Sequence, residues 1–351
     1  MNLSASTSQH VPEFVILTGA LGSGKTTLLK TFIQLAESNE TGVIVNDAGD
    51  INVDAVILES VNGRAVSRAA SGCICCSVGE DLQDAVDNLL EAHERTRTRV
   101  KRIILETSGL ADPGAVIRAA GRLRQESFNL RIVATLDGSR GKWSDDFLPH
   151  EPAQLAAAHG IIVTKTDLCD EETLAEARLS ALSFNPLVSP LILADPVSRA
   201  RAAFSNVQVG KAPPVSPFHA LPAAAHPRIS ILVARWAPTP DWPEIEEWLE
   251  NIAGFCGDRM LRVKGVIAPN GESNRLLVNA VGRSFARPQI LPAGNSEEGL
   301  ILILRDVDGD EIDRFSHAVS CSPPTLTFAR KKEAKVATSL RSGAISLAEL
   351  P

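Results

Sequence analysis

The sequence predicts an α/β fold, a parallel sheet with helices on both faces, joined to a smaller α+β domain on its C-terminal side. Three observations predict it. Short apolar runs alternate with segments of helical periodicity as far as residue 205, as βαβ units do. Those runs are continuous rather than alternating, which is how strands buried on both faces read. The chain has 351 residues, enough for two domains at about 150 residues each.

The elements follow in order. Residues 1–13 read as a flexible, Ser/Thr-rich leader. Phe14-Val15-Ile16-Leu17-Thr18 is a buried strand ended by glycine. Leu28, Leu29, Phe32, Ile33 and Leu35 fall at helical spacing between Thr26 and Ala36. Gly42-Val43-Ile44-Val45-Asn46 is a second strand. A helix from Asp81 to His93 carries Leu82, Ala85, Val86, Leu89 and Leu90 on one face. Further strands are predicted at Arg102–Glu106, Leu130–Thr135, Gly160–Thr164 and Leu191–Leu193. These make a first domain of residues 14–205. Residues 206–227 form a linker rich in Pro and Ala. A second domain spans 228–330. It opens with Ile229–Trp236, whose early alternation predicts a half-exposed strand. Asp241 then precedes Trp242, Pro243 and Glu244, an N-cap with proline in the first turn and an acid three residues on. That helix buries Ile245, Trp248, Leu249 and Ile252. Strands at Met260–Ile267, Arg275–Val281 and Leu300–Arg305 and a helix near Asp310 complete a largely antiparallel unit. Residues 331–351 read as a tail.

Hydrophobic residues are 44% and charged residues 22% of the chain, which excludes pervasive disorder. The net charge of -7 argues for solubility and against nucleic acid as a partner. No apolar run approaches the ~18–20 residues that span a bilayer, so no membrane partner is expected. Met1–Phe14 lacks a basic stretch followed by an apolar one, so a secretory signal is not expected and the predicted location is cytoplasmic.

Gly19-Ala20-Leu21-Gly22-Ser23-Gly24-Lys25-Thr26 fits G-x-x-x-x-G-K-[ST] at every constrained position, between a strand and a helix. The glycines let backbone N–H groups wrap a phosphate, and the helix N-terminus adds its dipole. The predicted nucleotide-binding residues are Gly19, Gly22, Ser23, Gly24, Lys25, Thr26 and Thr27. Lys25 would reach the β- and γ-phosphates, and the Thr26 hydroxyl would ligate Mg²⁺. The alternative is a Gly-rich turn without a ligand. Glu106 ends a buried strand before Thr107-Ser108-Gly109. A carboxylate there is costly unless it serves water or a cation, so Glu106 is the candidate for Mg²⁺ and the Gly109 N–H for the γ-phosphate. An exposed strand-end carboxylate is the competing reading. Thr164-Lys165-Thr166-Asp167 follows another strand. The Asp167 carboxylate can accept from guanine N1–H and its 2-amino group, a pair of donors adenine lacks. The Lys165 stem can lie along the base, and Thr164 opens the motif. A helix-capping turn is the bland alternative.

Cys73, Cys75 and Cys76 place three thiols at i, i+2 and i+3. Thiolates favour Zn²⁺, Cu(I) and similar ions. An open fourth position suits transfer better than permanent closure. Buried free cysteines and a redox pair at Cys75–Cys76 remain the alternatives. Cys169, Cys256 and Cys321 are isolated and read as packing residues. Asn46-Asp47-Ala48-Gly49 precedes the cluster. Asp47 can approach the γ-phosphate water or the thiol-bound ion, or can serve turn chemistry alone.

Together, Gly19–Thr26, Asn46–Gly49, Gly72–Cys76, Glu106–Pro113 and Thr164–Asp167 resemble, in order, the motifs of the CobW-like branch of the CobW/HypB/UreG P-loop GTPases. Leu261-Arg262-Val263-Lys264-Gly265 resembles that branch's C-terminal domain. Thr164 stands where the family has Asn, and Asp47 where it has Glu. The resemblance implies a P-loop NTPase sheet and a GTPase that uses GTP and Mg²⁺. It further implies handling of a transition metal, Zn²⁺ or Co²⁺ favoured, at Cys73, Cys75 and Cys76. A client metalloenzyme or cofactor-synthesis protein is the expected partner, with a homodimer possible. No arginine finger is evident, so turnover without a partner is expected to be slow. Two other classes stay open: a thiol redox-regulated nucleotide-binding protein, and a client-binding scaffold timed by the GTPase.

Overall fold

The computed structural model describes residues 12–36, 40–45, 66–68, 80–95, 100–123, 128–141, 150–204, 228–291 and 298–328. The first sheet holds β1 (Glu13–Gly19), β2 (Thr41–Val45), β3 (Val66–Arg68), β4 (Arg102–Glu106), β5 (Asn129–Asp137), β6 (Gly160–Thr164) and β7 (Leu191–Ile192). Their order is β3-β2-β4-β1-β5-β6-β7, and every pairing is parallel. Among the described residues, six helices accompany them: α1 (Lys25–Ile33), α2 (Glu80–Arg95), α3 (Pro113–Ala120), α4 (Glu151–Ala157), α5 (Glu171–Phe184) and α6 (Pro196–Phe204).

Alternate side chains of β1 go to opposite faces, and both faces are covered. Phe14 and Ile16 join a cluster with Leu82, Val86, Val116 and Ile117, from α2 and α3. Val15 and Leu17 join one with Leu28, Leu29, Phe32 and Phe204, from α1 and α6. This explains the continuous apolar runs: no face is left for polar residues. The strand begins at Glu13, one residue inside the expected leader. Glu13 is a charged residue that reads as surface, yet it is only 6% exposed. Arg102 Nε at 2.7 Å and Arg131 Nε at 2.5 Å hold its two oxygens.

The second sheet is antiparallel, ordered β11-β10-β9-β13-β8-β14, with β12 also on β10. Its strands are β8 (Ile229–Arg235), β9 (Met260–Ile267), β10 (Arg275–Val281), β11 (Ser284–Phe285), β12 (Gln289–Leu291), β13 (Gly299–Arg305) and β14 (Thr325–Phe328). Helices α7 (Trp242–Cys256) and α8 (Gly309–Val319) cover one face. There Leu232, Ala234, Leu300 and Leu302 meet Ile245, Trp248, Leu249 and Ile252. The Asp241 carboxylate accepts from the Glu244 N–H at 3.1 Å, as the N-cap pattern predicts.

The half-exposed strand expected at Ile229 is corrected. Ile229, Ile231, Val233, Ile301 and Ile303 pack on Ala153, Ala156, Ala181 and Phe184 of α4 and α5. Helices of the first sheet therefore cover the second face, and β8 is buried on both sides. Cys256 is buried as expected, but Cys321 is exposed. No helix among the described residues is long and apolar enough to cross a membrane. The expected linker at 206–227 and tail at 331–351 lie outside the described residues.

Candidate nucleotide-binding site

The parallel register brings the site to one edge. Leu17 of β1 pairs with Glu106 of β4, Gly19 with Thr135 of β5, and Asp137 of β5 with Thr164 of β6. The carboxyl ends of four strands thus open on the loop between β1 and α1, where ligands of open α/β sheets bind. Gly24 precedes α1 at φ 87°, a left-handed conformation that favours glycine.

A cleft of about 340 Å³ lies here. Gly22, Gly24, Lys25, Thr26, Thr27, Glu106, Gly109 and Lys165 all line it. The Lys25 Nζ donates to Gly19 O at 2.9 Å and Ala20 O at 3.0 Å, so its charge sits inside the loop. The Thr26 hydroxyl donates to Glu106 Oε1 at 2.5 Å across 80 residues of sequence. Glu106 is 4% exposed. A hydroxyl and a carboxylate in contact are hard oxygen donors, the kind Mg²⁺ takes alongside substrate phosphates. That donor set fits the ion.

Gly109 is brought against the loop. A Cβ at Gly109 would collide with the backbone N and Cα of Leu21. Only glycine permits this approach. Thr107 anchors the same segment: its N–H and hydroxyl donate to Leu17 O at 3.0 and 3.1 Å.

Four predicted residues lie outside the cleft lining: Gly19, Ser23, Thr164 and Asp167. The Ser23 hydroxyl meets Thr135 Oγ1 at 2.6 Å. Thr164 donates to Ser23 O at 2.7 Å, with Leu136 O at 3.1 Å. These side chains brace the loop rather than face the cleft. Asp167 is exposed in the single 3₁₀ turn Thr166–Leu168 that follows Lys165.

The family model of the CobW/HypB/UreG nucleotide-binding domain matches residues 13–188, half of the chain. The chain belongs to this family. The cobalamin synthesis protein cobW C-terminal domain matches residues 229–318. Zinc chaperone YjiA of Escherichia coli is 28% identical over 288 residues, 80% of this chain and 90% of the relative. Zinc chaperone CobW of a Sinorhizobium species is 28% identical over 320 residues, 80% of this chain and 88% of the relative. The crystal structure of Zn(II)-bound YjiA GTPase from E. coli is 21% identical, with a TM-score of 0.59. It covers 88% of this chain and 99% of its own, and it shows the shared fold.

In this member of the CobW/HypB/UreG family, Asp47, Cys73, Cys75 and Cys76 lie outside the described residues. Among the described residues, no group of three or more His, Cys, Asp and Glu could hold a metal ion. Sequence reasoning missed several residues around the cleft. Asp137 Oδ2 accepts from Lys165 Nζ at 2.6 Å and so sets where that side chain lies. Burial raises the Asp137 carboxyl, but Lys165 and the Ser139 hydroxyl and N–H outweigh it and hold it below its ordinary value. Its signal was legible: an acid at the end of a buried strand, the pattern that singled out Glu106. Gln154 donates to Gly109 O at 3.1 Å and Ala111 O at 3.0 Å. It sits in an alanine-rich stretch with no motif to mark it.

Proposed function

We propose that this chain is a GTP-hydrolysing metallochaperone. It takes a transition metal, zinc or cobalt, at Cys73, Cys75 and Cys76 and delivers it to a client metalloenzyme or cofactor-synthesis protein. The observation that carries the reading is the Thr26–Glu106 contact inside a cleft lined by the phosphate loop, in a chain of the CobW/HypB/UreG family. That two relatives are named zinc chaperones supports zinc as cargo. The reading divides the chain into a GTPase domain, 14–205, and a C-terminal domain, 228–330.

The chain is a GTPase, and its residues take these roles. Lys25 leaves the Gly19 and Ala20 carbonyls and pairs with the β- and γ-phosphates. Gly22, Ser23 and Gly24 offer backbone N–H groups, and Thr27 extends the cradle. Thr26 and Glu106 hold Mg²⁺, which neutralises charge on the phosphates when bound. Gly109 presents its N–H to the γ-phosphate. Lys165, placed by Asp137, and Asp167 read guanine, with Gly19 in the cradle and Thr164 bracing it at Ser23. A water oxygen bonds the γ-phosphorus as the bond to the β–γ bridging oxygen breaks, giving GDP and phosphate. Asp47, which stands before the cysteines in sequence, serves either the γ-phosphate water or the thiol-bound ion. Cargo affinity differs between GTP and GDP states, and by reciprocity the metal shifts nucleotide affinity by the same factor.

The test is a Zn²⁺ and Co²⁺ titration of protein loaded with GDP or a GTP analogue, with hydrolysis measured alongside. The expected result is at least a fivefold affinity difference between the two states. A Cys73/Cys75/Cys76→Ser variant should lose the metal, and Lys25→Ala should lose about a hundredfold or more in kcat. Equal metal affinities would remove nucleotide-driven delivery. Reversible loss of two thiols on mild oxidation, indifferent to Zn²⁺, would replace the reading with a redox switch.

A further inference from the structure

Helix α4 has seven residues, and all seven are buried. Its groups reach both halves of the molecule. Toward the cleft, Gln154 is 0% exposed and donates from Nε2 to the Gly109 and Ala111 carbonyls. Those carbonyls belong to the loop whose Gly109 lies against Leu21 of the phosphate loop. Toward the second sheet, Arg262 of β9 is 1% exposed and donates from Nη1 to Ala157 O at 2.5 Å. Ala157 carries the last carbonyl of α4. Asn185 Nδ2 caps the same end through Leu155 O at 2.9 Å, Ala156 O at 3.1 Å and Ala158 O at 3.0 Å.

Gln154 and Ala157 are three residues apart on one helix, so they move together. Moving the Gly109 loop alone would break two buried hydrogen bonds and strand their carbonyls, which is costly. Moving it with α4 displaces Ala157 against Arg262. That guanidinium is itself a demanding neighbour. Among the described residues its only hydrogen-bond partner is this carbonyl, and its Nε is buried without one. A buried cation held at one helix terminus has little freedom to drift from it.

We propose that Gln154 is a positioning residue for the γ-phosphate response, and that α4 passes the position of the Gly109 loop to the C-terminal domain through the Ala157–Arg262 contact. Gln154 acts through the Gly109 loop and touches no reacting atom. The proposal rests on the GTPase reading above and adds the route by which the second domain senses the nucleotide.

The experiment measures GDP and GTP-analogue affinities on the full chain, with kcat, for wild type, Gln154→Met, Arg262→Met, Arg262→Lys and the Gln154/Arg262→Met pair. The expected result for Gln154→Met is a roughly tenfold loss of the preference for the triphosphate and a fall in kcat. GDP affinity should stay within twofold. Arg262→Met should reduce the same preference from outside the cleft, and Arg262→Lys should restore part of it. The pair should lose less than the product of the two single effects. Hydrogen exchange of residues 260–267 in wild type needs no variant to fold, and it should differ between GDP and analogue. A preference unchanged in either single Met variant, or exchange of 260–267 indifferent to nucleotide, overturns the proposal alone. Wild type that binds neither nucleotide overturns the GTPase reading and this proposal with it.

Discussion

At the residue scale, Glu151 shows how the fold sets a proton affinity. Its side chain has no exposed surface and meets Arg140 Nη1 at 3.3 Å. Burial pushes its carboxyl up to about 7; Arg140 pulls it down and Asp137 pushes it up further. The folded chain therefore binds more protons than the unfolded chain between the ordinary carboxylate value and pH 7. Stability falls as pH rises through that window, and the whole penalty is present above it. His159 acts oppositely. Burial, then Arg262, Lys264 and Arg131, hold it well below its usual range, and its Nδ1 accepts from the Ile132 N–H at 3.1 Å. Its contribution is lost as pH falls below the unfolded histidine value. The clean measurement is thus the difference between wild type and Glu151→Gln. The variant should gain on the order of 2–3 kcal/mol on wild type between pH 5 and pH 8 in urea unfolding. A difference that does not change with pH would refute this reading of Glu151.

At the element scale, caps determine where several helices begin. Asp112 precedes α3 and accepts from the Gly114 N–H at 3.3 Å and the Ala115 N–H at 3.2 Å, with Pro113 in the first turn. The cap lies three residues after Gly109, so it also bounds the loop at the cleft. Asp112→Ala should cost about 1 kcal/mol, and Asp112→Asn should recover most of it. Equal stability of the Ala variant and wild type, read from their urea midpoints, would show that the cap contributes nothing. An Asp cap with proline in the first turn was read at Asp241 but passed over at Asp112, where Pro113 follows directly, because α3 has only 8 residues and offers few helical repeats. Helices α4 and α5 were hidden for a different reason. The buried residues of α5 are Ala177, Ser180, Ala181, Ser183 and Phe184, mostly small or polar. In α4 every position is buried, Glu151 and Gln154 included. Neither leaves an apolar stripe against a polar face, so periodicity has nothing to detect.

At the scale of the whole molecule, the second sheet is packed on both faces. The cluster around Ile231, Val233, Leu261, Ile301 and Ile303 is shared with Leu155, Ala156, Val163 and Phe184 of the first sheet's layer. Unfolding one unit alone would expose that shared surface to water, at roughly 25 cal/mol for each Å². Scanning calorimetry of the full chain should therefore show one cooperative transition. Two well-separated peaks would mean that the shared cluster does not couple the units. By itself the sequence left the short strands β3, β11 and β12 and the edge strand β14 illegible, while ten strands of the two sheets were legible to within one or two residues, as were the phosphate loop and Glu106 as its acidic companion. Those features are written in contiguous residues and follow from local chemistry: apolar runs, glycine at a turn, lysine and threonine at a helix start. It took the packed chain to show that β8 is buried on both faces, that Thr164 braces the loop at Ser23, and that Gln154 within α4 reaches the Gly109 loop while Arg262 meets the last carbonyl of the same helix. Those facts depend on pairs 28 to 141 residues apart in sequence or on packing between layers. No local pattern encodes them, because a buried polar group is defined by the partner that satisfies it.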